Sequence, residues 1–377
     1  MNETPGFLWT VLAFVAVIGP LVFVHEMGHY LAGRLFGVKA EAFSIGFGRE
    51  IAGFTDRRGT RWKFGWLPLG GYVRFAGDMN PASQPDAAWL ALPADERNRT
   101  FQAKPVWQRA IIVAAGPVVN FLLALIILAG FAMAYGEARM APIVGAVQPG
   151  SPAALAGLRP GDTVSALDDR PIAQFDDMIR FVRIRAGEAV RVRGKRDGQP
   201  FAVNATIATD VQRDRFGNEY RMGMLGIVGD TPVYAPVSAL RAPVIAVRQI
   251  GQIIDTTVET LGQVISGRRS VKELGGPLRI AKVSGEMTSM GLAAYVWLIG
   301  LLSINLGFIN LLPVPMLDGG HLLFYAVEAI RRRPLEPHVQ EWAFRGGLVA
   351  VVTLMLVVTF NDLGAVGLWK NLAGLIG

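Results

Sequence analysis

Cysteine is absent from the 377 residues. That removes thiolate nucleophiles, disulfides and thiolate metal ligands together, so any metal must be held by imidazole and carboxylate groups. Histidine is scarce too: His25, His29, His321 and His338 are the only four. Charge is thin, at 18% Asp, Glu, Lys and Arg, against 51% hydrophobic residues and a mean hydropathy of +0.36. A chain this apolar is not an ordinary soluble protein, and one this charged is not all membrane. Several spans plus a soluble domain are expected. The formal charge of +7 fits basic cytoplasmic flanks of membrane spans better than nucleic-acid binding. Residues Met1 to Gly6 carry no basic residue and include Glu3, so they do not match the start of a cleavable signal peptide.

What is present is organised around Val24-His25-Glu26-Met27-Gly28-His29. Residues Phe7 to Val24 carry no charge, and eighteen residues at 1.5 Å each span about 27 Å, nearly a hydrocarbon core. On a helix His25 and His29 stand one turn apart on one face, where both imidazoles can reach a single metal. Glu26 lies beside them, placed to take a proton from an attacking water, which is the zinc-hydrolase pattern. A polar cluster that only holds helices together is a poor account, because ionisable groups in lipid are expensive. Arg34 and Lys39 follow the run, which puts the motif near the cytoplasmic face and the N-terminus outside.

Residues Ala42 to Phe54 and Thr60 to Phe75 read as twisted strands about a turn at Arg57-Arg58-Gly59. They form either a plain cytoplasmic hairpin or an edge strand near the metal that pairs with an extended substrate. Pro81 to Lys104 is polar and reads as a linker. Val106 to Tyr135 is the second span; Gly116 and Asn120 share a face near its start. Two readings stand there: close helix packing with one interhelical hydrogen bond, or an Asn that holds a substrate backbone group. Ala141 to Asp230 changes character, with many Arg and Asp, short β-like runs and turns. In it Ser151 caps a short helix opened by Pro152 and ended by Gly157, before a strand at 163–167.

Pro236 to Gly267 repeats apolar residues at three- and four-residue steps, an amphipathic helix that lies on the membrane surface or packs under the soluble domain. Leu292 to Leu312 is the third span, broken by Pro313 and Pro315 and followed by Asp318-Gly319-Gly320-His321. With the soluble domain outside, this span runs inward like the first, so Asp318 and the His-Glu-x-x-His motif share a membrane side. Asp318 is thereby favoured as third ligand, with His321 its rival. Arg331-Arg332-Arg333 reads as a cytoplasmic loop, and Gly346 to Phe360 as a fourth span with Asn361 and Asp362 solvated beyond it.

The string Ser151-Pro152-Ala153-Ala154-Leu155-Ala156-Gly157-Leu158-Arg159-Pro160-Gly161-Asp162 resembles bacterial PDZ domains, which bind extended chain ends by strand addition. The resemblance implies a peptide-binding loop around Gly223, Leu225, Gly226 and Ile227. With His25 to His29, Gly116 to Asn120, Asn310 to Pro313 and Leu317 to His321, the chain resembles over nearly its full length the site-2 proteases. These are intramembrane zinc metalloproteases, here of the bacterial RseP type. One departure is that about 90 residues fit one PDZ domain, where the best-known enterobacterial members carry two.

By similarity, His25, His29 and Asp318 bind one zinc ion, Glu26 is the general base, and Asn120, Asn310 and Gly116 meet substrate. The implied fold is a polytopic α-helical membrane protein of about four transmembrane helices, with a membrane-associated β-hairpin region and an inserted periplasmic α+β PDZ domain. Its partition is 1–36 (first span), 37–105 (β region and linker), 106–135 (second span), 136–231 (PDZ), 232–290 (amphipathic helix and linker), 291–330 (third span), 331–343 (basic loop) and 344–377 (fourth span and tail). The implied setting is the bacterial inner membrane, with both termini and the PDZ domain periplasmic and the site toward the cytoplasm. Implied substrates are single-pass membrane proteins cut in or near their spans, such as an anti-sigma factor already trimmed by another protease, or remnant signal peptides. Two other readings share these residues: a zinc peptidase for soluble peptides, and a PDZ-bearing scaffold or transporter without proteolysis.

Overall fold

The computed structural model describes residues 6–77, 93–213, 219–230, 233–267, 270, 275–333 and 335–365. The expected linker from Pro81 lies outside the described residues as far as position 92, and so does the tail at 366–377. The chain divides into two units, 1–128 with 275–362, and 129–274 with 363–377.

In the first unit, α1 (Phe7–Leu35) carries the His-Glu-x-x-His motif through its last third. Pro20 sits inside it, which a span tolerates where neighbouring helices cover the gap. Gly37, at φ 71°, stops it by donating to the Arg34 carbonyl. Strands β1 (Ala40–Thr55) and β2 (Arg61–Phe75) match the expected pair in position, but their pairing is richer than a hairpin. Residues 50–55 pair with 61–65 across the turn, as Thr55 with Arg61 and Glu50 with Gly65. Residues 42–45 then pair on both sides: Ala42 with Arg74 down to Ile45 with Gly71, and Ala42 with Arg61 up to Ile45 with Phe64. Two long strands thus fold over into four short ones, with 71–75 outermost. Gly46 and Gly48, at φ 86° and 83°, permit the reversal where a side chain would be strained. Phe43 stacks on Trp62 inside this sheet, and a cluster with Tyr30, Phe75, Ile112 and Tyr325 binds it to the helices.

A short helix α2 (Ala94–Arg97) precedes α3 (Val106–Tyr135). The remaining helices of this unit are α7 (Pro277–Ser289), α8 (Leu292–Asn310), α9 (Asp318–Arg331) and α10 (Pro337–Ala365). Among the described residues, four helices are long and apolar enough to cross a membrane: Leu8–Leu35, Val106–Tyr135, Leu292–Asn310 and His338–Gly364. Together with the β regions they make a polytopic membrane protein. Outward-facing Leu12, Ile126, Val349 and Leu356 are more than half exposed, as side chains facing lipid would be.

Two expectations are corrected here. The linker expected after the amphipathic helix contains α7, whose start at Gly276-Pro277 is an ordinary helix opening; Arg279, Lys282 and Glu286 hide its apolar face from a simple periodicity reading. Asp362 is not solvated. Only 7% exposed, it accepts the Gly276 and Arg279 N–H groups at 3.3 and 3.1 Å and caps α7 from the end of α10.

In the second unit, the expected strand and short helix both form. Helix α4 (Pro152–Leu155) is capped by Ser151, whose hydroxyl accepts from the Ala154 N–H at 3.2 Å, and β5 (Thr163–Leu167) follows. The sheet order is β6-β5-β7-β8, with β6 (Arg170–Pro171), β7 (Ala189–Arg196) and β8 (Gln199–Thr206). Asp197 and Gly198, at φ 50° and 81°, make the tight turn between the last two. Helix α5 (Phe175–Arg183) lays Phe175, Met178, Phe181 and Val182 on a core with Val164, Leu167, Val192 and Ile207. The Gly-Asp pair that ends the Ser-Pro-Ala-Ala string has a structural task. Asp162 is fully buried and takes two hydrogen bonds from the Arg196 guanidinium at 2.7 and 2.8 Å, plus the Arg159 N–H at 2.8 Å. Burial opposes its charge, but these donors hold its carboxyl below the usual carboxylate range.

Among the described residues this unit has three further pairs: β3 (Glu137–Arg139) with β12 (Val233–Ala235), β4 (Val144–Val147) with β11 (Ile227–Gly229), and β9 (Ala208–Arg213) with β10 (Glu219–Met224). Helix α6 (Ala242–Ile265) starts six residues later than the expected Pro236, because Pro243 suits only a first turn. It is fastened to this unit by Arg185 on Glu259 at 2.7 Å and by Gln263 donating to the Ile184 carbonyl at 2.6 Å.

Candidate active site

The site lies in the first unit, where α1 and α3 cross at two glycines. An added Cβ on Gly28 would stand 2.5 Å from the Ala115 carbonyl oxygen, and one on Gly116 2.3 Å from His29 Nε2. Only glycine lets the two backbones approach this closely, and the approach is what brings the imidazoles of α1 under cover of α3. His25, Glu26 and His29 are each under 10% exposed.

Asp318 arrives from the other side. After α8 ends at Asn310, the chain turns through Pro313 and Pro315, with Met316 held in the left-handed region at φ 87°. Helix α9 then opens on Asp318 itself, where a carboxylate is favoured by the helix dipole. The two glycines that follow are a packing requirement. A Cβ on Gly319 would meet the Leu311 and Leu312 carbonyls at 2.3 and 2.2 Å, and one on Gly320 the Val314 carbonyl at 2.5 Å. The Leu-Asp-Gly-Gly string therefore folds α9 tightly back on the preceding loop and fixes where Asp318 points.

The result is a triangle of three ligand atoms. His25 Nε2 lies 3.3 Å from His29 Nε2, and Asp318 Oδ2 lies 3.2 and 3.5 Å from the two nitrogens. Asp318 Oδ2 is buried with no hydrogen-bond donor aligned on it. His29 Nδ1 faces the Ile112 carbonyl oxygen at 2.9 Å; that oxygen only accepts, so Nδ1 carries the proton and Nε2 of the neutral ring offers a lone pair. Two imidazole nitrogens and a carboxylate oxygen gathered around one point are a donor set that fits a divalent cation with nitrogen-oxygen preference such as zinc.

Glu26 stands beside this triangle. The Val73 N–H of the outermost strand donates to its carboxylate, and Gly71 of the same strand is so close that a Cβ there would lie 3.0 Å from Glu26 Cγ. The strand at 71–75 thus flanks the site.

Other expected residues fall out differently. For Asn120 an interhelical hydrogen bond and a substrate contact both stood open; it is fully enclosed, and its side-chain nitrogen lies 3.1 Å from His25 Nδ1, behind the ring. Gly116 is buried at the helix crossing, where it permits the close packing of α3 on His29. Asn310 is the last residue of α8 and half-buried. His321, the rival ligand, does not join the triangle; its ring packs on Phe344 and Tyr325, with centroids 4.9 and 6.4 Å away. The contributions of Ile112 and Val73 come from the main chain, which no motif encodes. Ser303, fully buried in α8, donates to the Asn120 carbonyl at 2.8 Å; a lone serine within an apolar run was the signal for it.

In the second unit, Gly223 lies in β10, where a Cβ would collide with the Val182 carbonyl at 1.9 Å. Leu225 is part of the core, and its carbonyl and that of Gly226 accept from the Ala153 and Gln148 N–H groups at 2.9 Å. Ile227 pairs with Val147, and among the described residues β4 is the only strand paired with β11.

The family model described as Peptidase family M50 matches residues 13–354. A protein of Agrobacterium fabrum named "Putative zinc metalloprotease Atu1380" is 43% identical over 369 residues, covering 96% of this chain and 97% of its own length. A Brucella suis protein with the same kind of name is 42% identical over 364 residues, 94% of this chain and 95% of its own. Metalloprotease MmpA of Caulobacter vibrioides is 37% identical over 394 residues, 98% of this chain and 99% of its own.

Proposed function

From the premise that the chain belongs to peptidase family M50, the site-2 proteases, and is a zinc metalloprotease of the membrane, we propose that it hydrolyses single-pass membrane proteins within or near their spans. The observation that carries this reading is the convergence of His25 Nε2, His29 Nε2 and Asp318 Oδ2 beside Glu26, on a helix long and apolar enough to cross a bilayer. His25, His29 and Asp318 hold the zinc. When bound, zinc supplies Lewis-acid polarisation of the scissile carbonyl and of the attacking water. Glu26 takes the proton of that water as the new C–O bond forms, and returns it to the leaving amine as the C–N bond breaks.

A transmembrane helix hides its own backbone in its own hydrogen bonds, so a substrate must unwind to be cut. The strand at 71–75 offers an unwound segment a place to pair next to Glu26, and Asn310 a polar group at the end of α8. The second unit is read as a PDZ domain that tests the extracytoplasmic part of a substrate, with Gly223, Leu225, Gly226 and Ile227 shaping the loop and β11 receiving the peptide as an added strand. The basic residues Arg34, Lys39 and Arg331 to Arg333 support a reading in which the catalytic end faces the cytoplasm of a bacterial inner membrane and the termini and the PDZ domain are periplasmic. Substrates of this kind include an anti-sigma factor already cut outside by another protease, and remnant signal peptides.

The test uses purified protein in liposomes with two substrates sharing one cleavable sequence, one as a single span and one as a soluble peptide. Cleavage of the span at a rate at least about tenfold above the peptide is expected, since burial of the span supplies binding that the free peptide lacks. Equal turnover of both would replace this reading with that of a peptidase for soluble peptides.

A further inference from the structure

The two imidazoles of the site are held from behind in different ways. Behind His29 stands a main-chain oxygen, that of Ile112, at 2.9 Å from Nδ1. Behind His25 stands a side chain, the Asn120 carboxamide, at 3.1 Å from Nδ1. Asn120 is 0% exposed, and its own carbonyl is pinned by the Ser303 hydroxyl at 2.8 Å. Its Oδ1 is buried without a partner.

An imidazole can present Nε2 to a metal only when its proton is on Nδ1, and a buried Nδ1–H needs an acceptor. With the carboxamide nitrogen facing Nδ1, the amide donates and the proton of a neutral His25 ring sits on Nε2, the nitrogen 3.2 Å from Asp318 Oδ2. A half-turn about the Cβ–Cγ bond exchanges the oxygen and nitrogen at nearly the same positions. Asn120 Oδ1 then accepts the His25 Nδ1–H, the orphaned oxygen gains a partner, and Nε2 is left with its lone pair toward the other two ligand atoms.

We propose that Asn120 is a positioning residue that orients His25 and fixes its proton on Nδ1 in the zinc-loaded protein. The inference rests on the reading of His25 as a zinc ligand. A neutral acceptor suits the place: Glu26 and Asp318 already bring two carboxylates, and a third within the span would be costly in lipid. The asymmetry has a consequence. No substitution removes the oxygen behind His29, whereas a single one removes the acceptor behind His25.

The test compares full-length wild type, Asn120→Leu, Asn120→Asp and His25→Ala in detergent. Zinc dissociation constants are read by chelator competition, thermal unfolding serves as a check on folding, and ¹⁵N-histidine spectra report which ring nitrogen carries the proton. With four histidines in the chain the spectra are tractable. Asn120→Leu, which keeps the γ-branched shape with more bulk and lacks the acceptor, should weaken zinc about 10- to 100-fold. Asn120→Asp, which keeps an acceptor, should recover most of that loss, and zinc-loaded wild type should show His25 protonated on Nδ1. Wild-type zinc affinity in folded Asn120→Leu, equal weakening by Leu and Asp, or a His25 protonated on Nε2 with zinc bound overturns the inference. Zinc that persists undiminished in His25→Ala sinks the ligand reading itself, and the inference with it.

Discussion

Replacing Glu26 by Gln should leave one zinc per chain and lower the cleavage rate by about 10²- to 10⁴-fold, the range a positioned general base contributes. Gln preserves the volume and one acceptor oxygen, so the Val73 N–H keeps a partner and the strand at 71–75 stays beside α1. What Gln cannot do is take a proton from water. Glu26 sits next to the three ligand atoms without being one of them, which is why the metal should remain. Metal content by atomic spectroscopy and cleavage of a single-span substrate, measured on the same preparation, separate the two roles. A rate within about tenfold of wild type would remove Glu26 from the chemistry.

The second large effect is expected from the smallest change. Gly116→Ala adds one methyl group, and that methyl would sit 2.3 Å from His29 Nε2. A clash with the far end of a long side chain is usually relieved by a rotation. Here the far end is the ligand atom, and the opposite nitrogen is tied to the Ile112 carbonyl at 2.9 Å, so the ring cannot yield without leaving the triangle. Zinc affinity should fall by at least about 100-fold, more than loss of a supporting hydrogen bond alone. Gly19→Ala is the matched control. It lies in α1 with nothing within 4 Å of an added Cβ, and alanine in a helix is worth up to about 1 kcal/mol over glycine, so it should bind zinc as wild type does. Equal zinc affinity in Gly116→Ala and Gly19→Ala would show that the crossing has more slack than its geometry implies.

Much of the site is legible in the sequence because its ligands sit in short local strings. His25 and His29 are set one turn apart by the helix itself, and Asp318 is marked by the two prolines before it and the two glycines after it. The glycines of both helices also carry their meaning openly, once close approach is considered at Gly28, Gly116, Gly319 and Gly320. What the sequence does not expose is contact made by the main chain or across long separations. The Ile112 carbonyl behind His29 has no side chain to announce it. Asp362 looks like a residue at a membrane boundary, and only the meeting of α7 and α10 turns it into a helix cap. The double pairing of residues 42–45 is hidden for a different reason. Alternation of side chains shows that a stretch is extended, but not how many neighbours it has.

Asn120 illustrates how a location can be legible while the choice between two roles is not. Its place in a span beside the motif is visible from spacing, yet whether such an amide faces a substrate or a ligand ring depends on the rotation of α3 about its axis. That rotation is set by the Gly28–Gly116 crossing and by the Ser303 hydrogen bond, neither of which follows from composition.

The central claim is that one zinc ion is held by His25, His29 and Asp318, with His321 outside the set. The most direct measurement is zinc per chain, in purified wild type, Asp318→Ala and His321→Ala after dialysis against a weak chelator. The account predicts about one zinc in wild type and in His321→Ala, and a large loss in Asp318→Ala, because two imidazoles alone leave the ion short of a ligand. Zinc retained by Asp318→Ala and lost from His321→Ala would contradict it.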